Sequence, residues 1–289
     1  MRHPDASALL PGRLVAIPAA VAVVAESLAW ALAATAGTLS PGWYANPRLL
    51  VAVHLLTLGT LALSIVGFGW QLVPVVTAAP PPRHWVRLAK GINGVLILGI
   101  ALLCAGMGSP APGVLAAAGA TLTISALLLR SVAVVWALAR ASGRPAVRAW
   151  LVAAEACLWV GLGLGGALLS GRLGHALLPN PVNGIGWHAS VLLLGWIGGW
   201  IGGLGSVLLP MFAVSPHPRP VLLWVAAVAW FGGIATGLPT LWFVGATVLV
   251  SSLLWSLHKR LARNGPAGLG VAAAGLSGLL VLGLLINHV

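Results

Sequence analysis

Acidic side chains are almost missing from this chain of 289 residues, which has 3 Asp and Glu against 15 Lys and Arg. Only 6% of the residues are charged while 60% are hydrophobic, so a globular protein of this size could not cover its surface with polar groups. The alternation of apolar and polar residues that is typical of outer-membrane barrels is missing as well. These absences exclude a water-soluble protein and indicate that lipid is the solvent.

Cysteine is also scarce, since Cys104 and Cys157 are the only 2 in the chain and both lie in apolar stretches. We expect them to be small buried hydrophobic residues rather than a disulfide or a metal clip. The sequence has no phosphate-binding loop, dinucleotide fingerprint or zinc-protease motif, and no C-x-x-C-H pattern for covalent heme. Whether the chain is an enzyme stays open at this point.

Long apolar runs are what the chain has instead, and they recur from one end to the other. Runs of roughly 18 to 28 residues are typical of helices that span a bilayer. The sequence therefore predicts an all-α, polytopic membrane protein with about nine transmembrane helices. The expected spans are 14–36, 49–77, 91–108, 114–139, 149–170, 184–213, 220–237, 240–257 and 267–286.

The basic residues explain the net charge of +12 without nucleic acid, because they collect at alternate ends of the expected spans. Arg48 and Arg172 lie at the opposite ends. Cytoplasmic loops carry an excess of Lys and Arg, so we expect a cytoplasmic N-terminus, a C-terminus outside and a location in the cell (inner) membrane. The residues predicted to face the cytoplasm are Arg2, Arg13, Arg83, Arg87, Lys90, Arg140, Arg144, Arg148, Arg219, Lys259, Arg260 and Arg263.

Three sequence patterns occur twice at similar offsets, which indicates an internal repeat. The matches are Ala25-Glu26-x-x-x-Trp30 with Ala154-Glu155-x-x-x-Trp159, Gly59, Gly67, Leu72 and Pro74 with Gly195, Gly203, Leu208 and Pro210, and Gly119-Ala120-Thr121 with Gly245-Ala246-Thr247. Two parallel four-helix repeats plus one helix are predicted from this, with boundaries at 1–145, 146–263 and 264–289.

Five residues with acidic, arginine or histidine side chains lie inside the expected spans, where an unsatisfied polar group is costly. They are Glu26, His54, Arg130, Glu155 and His188. We expect Arg130 and Glu155 to form an ion pair between the fourth and fifth spans. For Glu26 three roles stay open: a protonated hydrogen-bonding group, part of a proton path, or a metal ligand together with His54.

Glycines come after both histidines, and they permit either close helix packing or a flat cofactor lying against the helix. The segments His54-x-x-x-x-Gly59 and Trp187-His188-x-x-x-x-x-x-Gly195-Trp196 resemble the heme-ligating helices of heme-copper oxidase catalytic subunits (subunit I-like). The motifs of the oxidase copper site are missing, so the chain resembles a short relative of that superfamily. The resemblance implies one b-type heme held by His54 and His188, with glycine faces at Gly59, Gly67, Gly195 and Gly203, and no oxidase-type dinuclear copper site.

Three functions are therefore compatible with the sequence alone. The first is a heme-binding membrane protein for electron transfer or diatomic-gas handling, in which bis-histidine ligation favours electron transfer. The second is a proton- or metal-ion-handling protein with a path along Glu26, His54, Glu155 and His188. The third is a cofactor-free subunit of a larger respiratory complex. Expected partners are the lipid bilayer, heme, and other redox subunits or a second copy.

The topology is testable by labelling. In a chain lacking Cys104 and Cys157, single cysteines placed in Arg83–Lys90 or Arg140–Arg148 should resist an impermeant thiol reagent in intact cells, because both segments are predicted to face the cytoplasm. A cysteine at His175 should react and serves as the control. Labelling of either predicted cytoplasmic segment would reverse the orientation.

Overall fold

The computed structural model describes residues 11–36, 46–78, 84–109 and 113–264, and within 259–264 the backbone alone. These ranges form eight helices and contain no strand, which confirms the all-helical prediction for this part of the chain. In chain order the helices are α1 (Arg13–Thr35), α2 (Pro47–Thr77), α3 (Trp85–Gly108), α4 (Gly113–Arg140), α5 (Pro145–Arg172), α6 (Pro181–Phe212), α7 (Pro220–Thr236) and α8 (Pro239–Asn264).

Seven of these helices are long and apolar enough to cross a membrane, namely α1 to α6 and the Pro239–His258 part of α8. Helix α7 is apolar but has 17 residues. The chain is therefore a polytopic membrane protein. The third helix begins at Trp85 rather than at 91, because charged residues in its first turns end an apolar run without ending a helix. The expected ninth span, 267–286, lies outside the described residues.

The described residues divide into two compact units. Unit 1 contains the chain up to Gly143 together with Ala154–Gly198, and unit 2 contains Arg144–Ala153 together with the chain from Gly199 onward. Helices α5 and α6 thus each contribute to both units. The predicted repeat boundary at 145/146 and the repeat layout both stay predictions.

Glycine positions let the helices of unit 1 approach one another closely. A Cβ on Gly59 would lie 2.6 Å from the Cβ of Ala25, so α2 packs directly on α1. Between α3 and α4, Gly106 faces the backbone of Ala116 and Gly119 faces the backbone of Leu103. Small residues at such crossings are how membrane helices gain van der Waals contact.

Unit 2 is built around aromatic rings. Trp150 lies 6.0 Å from Trp230 and 5.7 Å from Phe231, and Trp230 lies 5.2 Å from Trp242, measured between ring centroids. Gly203 provides the space for Trp150, since a Cβ there would lie 3.1 Å from the indole. Rings at these separations attract one another beyond simple burial.

An ion pair lies inside unit 1, between α4 and α5. Arg130 donates a hydrogen bond to Glu155, and each side chain is 1% exposed. The pair that the sequence predicts is therefore present. The indole of Trp196 on α6 also donates to Glu155, at 3.4 Å, so one carboxylate connects three helices.

Removing one member of this pair should destabilise the protein strongly, because the other charge then stays buried without compensation. We expect Arg130→Met or Glu155→Met to lower the free energy of unfolding in detergent by roughly 3 to 5 kcal/mol, and the double substitution to cost much less than the sum. Leu129→Met, at an exposed neighbouring position, is the control. Additive losses would contradict a coupled pair.

Candidate histidine site

The two intramembrane histidines occupy the same position in their helices. Helix α2 begins with the Asn46 cap and then Pro47, and α6 begins with the Asn180 cap and then Pro181. Asn caps and proline in the first turn fix where a helix starts. His54 and His188 each lie seven residues after that proline, a rise of about 10 Å. Counted from the caps the histidines are in register, although counted from Gly59 and Gly195 they differ by two residues.

A wide helical segment comes after each histidine. A π-helix covers Leu55–Ala62 directly after His54, and another covers Val191–Ile197 just after His188. Such segments are rare in proteins and frequently mark functional sites. Their occurrence at corresponding places in two helices sets α2 and α6 apart from the other described helices.

The Nδ1 atom of each histidine is bonded to a backbone carbonyl. His54 Nδ1 lies 2.8 Å from the oxygen of Leu50, and His188 Nδ1 lies 2.9 Å from the oxygen of Gly161 on α5. A carbonyl can only accept, so Nδ1 carries the proton in both rings and donates it. Nε2 is then the free lone-pair nitrogen, which is the arrangement that metal-binding histidines use.

Both histidines line one cavity of about 500 Å³ inside unit 1. Small-molecule and cofactor sites have volumes of roughly 300 to 1,000 Å³ and predominantly apolar walls. The walls here fit that description, with a few polar side chains among them. Apolar lining residues include Leu58, Leu103, Leu127, Leu158, Leu162 and Trp196, and polar ones are Thr57, Thr123 and Arg172.

Gly165 on α5 makes room for the His188 ring. A Cβ at this position would lie 3.2 Å from Nδ1 and 2.7 Å from Cε1 of His188, and the second distance is closer than real contacts allow. Gly165 and its neighbour Gly166 also line the cavity. Gly165 is not among the residues predicted from the sequence, although the glycine run from Gly161 to Gly166 in the fifth span is its signal.

Three of the four glycines predicted to face a cofactor contact residues of neighbouring helices. Gly59 and Gly67 pack against Ala25 and Pro18 of α1. Gly203 packs against Trp150 within unit 2, and Gly195 is buried in the second π-helix. The residues that line the cavity do not include any of these four glycines. Close packing, the alternative interpretation of the pattern, accounts for the contacts of Gly59, Gly67 and Gly203.

The predicted polar path is not brought together around the cavity. Glu155 is held by Arg130 beside Trp196, and Trp196 is the residue that reaches the cavity wall. Glu26 lies on the exposed face of α1. Across the described ranges, no group of three His, Cys, Asp or Glu side chains could hold a metal, and neither cysteine forms a disulfide.

Arg172 gives the cavity a positive charge. It is the last residue of α5, it is exposed, and it lies among the lining residues together with both histidines. From the sequence, Arg172 serves only as one of the two basic residues at the ends of the spans that are predicted to face outside. Nothing in the sequence pairs it with the histidines, because the end of α5 and the start of α2 are far apart in the chain.

No protein-family model matches this chain, and neither curated proteins nor solved structures yield a match. The resemblance to heme-copper oxidase subunits therefore rests on the sequence segments that carry it. The geometry of the histidine site has to carry any assignment of function.

Gly165→Ala should disturb any metal ligand role of His188, because the added methyl group occupies the space of the imidazole. We expect the affinity for heme, measured by titrating the heme-free protein, to fall about tenfold or more. Gly171→Ala is the matched control, since this glycine also lines the cavity and a Cβ there meets nothing within 4 Å. Equal loss in both variants would point to general damage, and no loss in Gly165→Ala would contradict ligation by His188.

Proposed function

We propose that this chain is a heme-binding integral membrane protein of the heme-copper oxidase-like superfamily, in which His54 and His188 hold one b-type heme used in electron transfer. The observation that carries the proposal is the shared state of the two histidines. Both imidazoles donate from Nδ1 to a carbonyl, both thereby leave a lone pair on Nε2, and both line the same cavity.

The donor set and the walls fit heme. Neutral imidazole is a common ligand of heme iron, so His54 and His188 would hold the group. The leucine-rich walls suit the apolar macrocycle, and the guanidinium of Arg172 can pair with a propionate. Heme b, when bound, supplies a one-electron redox couple.

The residues around the site are suited to electron transfer more than to chemistry on a bound gas. Two histidine ligands leave no open coordination position. The hydrogen bonds to Leu50 and Gly161 fix both rings and raise their basicity, which favours the oxidised metal. The leucine walls keep water away, and the nearby Arg130–Glu155 pair adds no net charge. These residues therefore hold a cofactor in one geometry and do not expose it to a reactant.

The same proposal includes the finer layout. Two parallel four-helix repeats and a ninth helix, with α7 as a short span, are supported by the repeated patterns and by the apolar character of α7. A cytoplasmic N-terminus in the cell membrane is supported by the basic residues. His54, His188 and Arg172 then lie toward the outer face, where a redox partner outside the membrane can approach.

An absorption spectrum of the purified protein tests the proposal. Protein from cells that make heme should show sharp reduced-heme bands after dithionite, and His54→Ala or His188→Ala should abolish them while the protein stays folded and in the membrane. His175→Ala, in a loop, is the control and should keep the bands. Wild-type protein without heme would overturn the proposal.

A further inference from the structure

The pattern Ala-Glu-x-x-x-Trp occurs at Glu26 and Trp30 in α1 and again at Glu155 and Trp159 in α5. The two copies have opposite surroundings. Glu155 is 1% exposed, whereas Glu26 and Trp30 are both exposed, Trp30 by 61%. The carboxylate of the pattern is therefore covered by a neighbour in one helix and open in the other.

The covered copy of the pattern, Glu155 and Trp159, shows which residues can pack against it. Two successive residues of α4 satisfy its two polar groups: Arg130 donates to Glu155, and Ser131 accepts from the Trp159 indole at 2.7 Å. An arginine and the serine next to it on one apolar helix thus match the carboxylate and the indole four residues further along.

The open copy of the pattern, Glu26 and Trp30, lies deep in a membrane-spanning helix. Glu26 is 13 residues after the start of α1 and 9 before its end, which places it about 20 Å and about 14 Å from the two ends. Within the described residues its carboxylate has no ion-pair partner. A carboxylate facing hydrocarbon is unfavourable, so intramembrane acids pair with a cation or face a polar space.

We infer that the Glu26–Trp30 face of α1 is the docking site for a transmembrane helix of a different chain, one that carries adjacent arginine and serine residues at mid-depth. A cation opposite Glu26 would be complementary to its carboxylate in charge, and the Arg130-Ser131 pair that meets Glu155 and Trp159 supplies the pattern. The inference goes beyond heme binding and does not depend on it.

Other occupants lack that cation. The segment after Arg263 contains no Lys or Arg, so it cannot supply one. A second copy has 15 Lys and Arg, but only Arg130 lies away from the ends of its span, near mid-depth, and that side chain is held by Glu155. The remaining source of a mid-depth cation is another protein.

The probe for this test is a synthetic peptide of residues 113–140, which carries the Arg130-Ser131 pair on its native helix. Full-length protein lacking Cys104 and Cys157 is labelled with a donor dye at Thr35→Cys, at the end of α1, and reconstituted in lipid vesicles. Energy transfer to acceptor-labelled peptide measures association. We expect Glu26→Gln or Trp30→Ala to weaken it about tenfold, as a lost interhelical polar contact does.

Two controls make the result specific. Ile17→Ala changes a residue of α1 that is 56% exposed but more than two turns from Glu26, and it should leave association unchanged. A peptide with methionine in place of its arginine should bind at least tenfold more weakly. The heme spectrum of Glu26→Gln should equal that of the wild type, which separates this test from the test of heme binding.

Several outcomes would overturn the inference. Equal binding of the peptide to Glu26→Gln would mean that it docks elsewhere, for example by displacing α4 from Glu155. Equal binding of the methionine peptide would mean that apolar packing alone drives association. Energy transfer between labelled copies of the full chain that is lost in Glu26→Gln would identify a second copy as the occupant.

Discussion

An arginine inside a lipid-embedded bundle has to be paired, and the pair of Arg130 with Glu155 organises unit 1. It holds α4 against α5, and the Trp196 indole connects α6 to the same carboxylate. Because these three helices are fixed together, the Gly161 carbonyl of α5 reaches His188 of α6. The geometry of the histidine site therefore depends on a charge pair that does not line the cavity.

The fold class could be predicted from the sequence because hydrophobicity along the chain reports the lipid environment directly. The pairing of Arg130 with Glu155 was also predictable, since both are intramembrane charges on either side of one short turn. The glycine run in the fifth span marks Gly165 but does not identify the His188 ring as its neighbour, and nothing near Arg172 in the sequence indicates that it lines a cavity with both histidines. The start of an apolar run gives a helix end only approximately, as Trp85 illustrates.

Glycine shows why one signal can support two interpretations. Close packing and a flat cofactor both require a missing side chain, so the pattern at Gly59 and Gly67 could not decide between them. The contacts decide for packing there, on Ala25 and Pro18. Gly165 differs because the group that fills its space is the ring of a candidate ligand. The informative feature is thus the group that occupies the space, and sequence spacing does not contain it.

The helix caps set the register of the two histidines. The spacing from the Asn-Pro pair to histidine is the same in both helices, from Asn46 to His54 and from Asn180 to His188, so each imidazole has the same depth below its own helix start. The spacing from histidine to glycine is two residues longer in α6, from His188 to Gly195, than in α2, from His54 to Gly59. Both of these stretches contain π-helical residues. A π turn holds more residues than an α turn, so it can shift the residues after it while leaving the histidine in place. The depth of each histidine and the packing of the helix beyond it are in this way adjusted separately along the same helix.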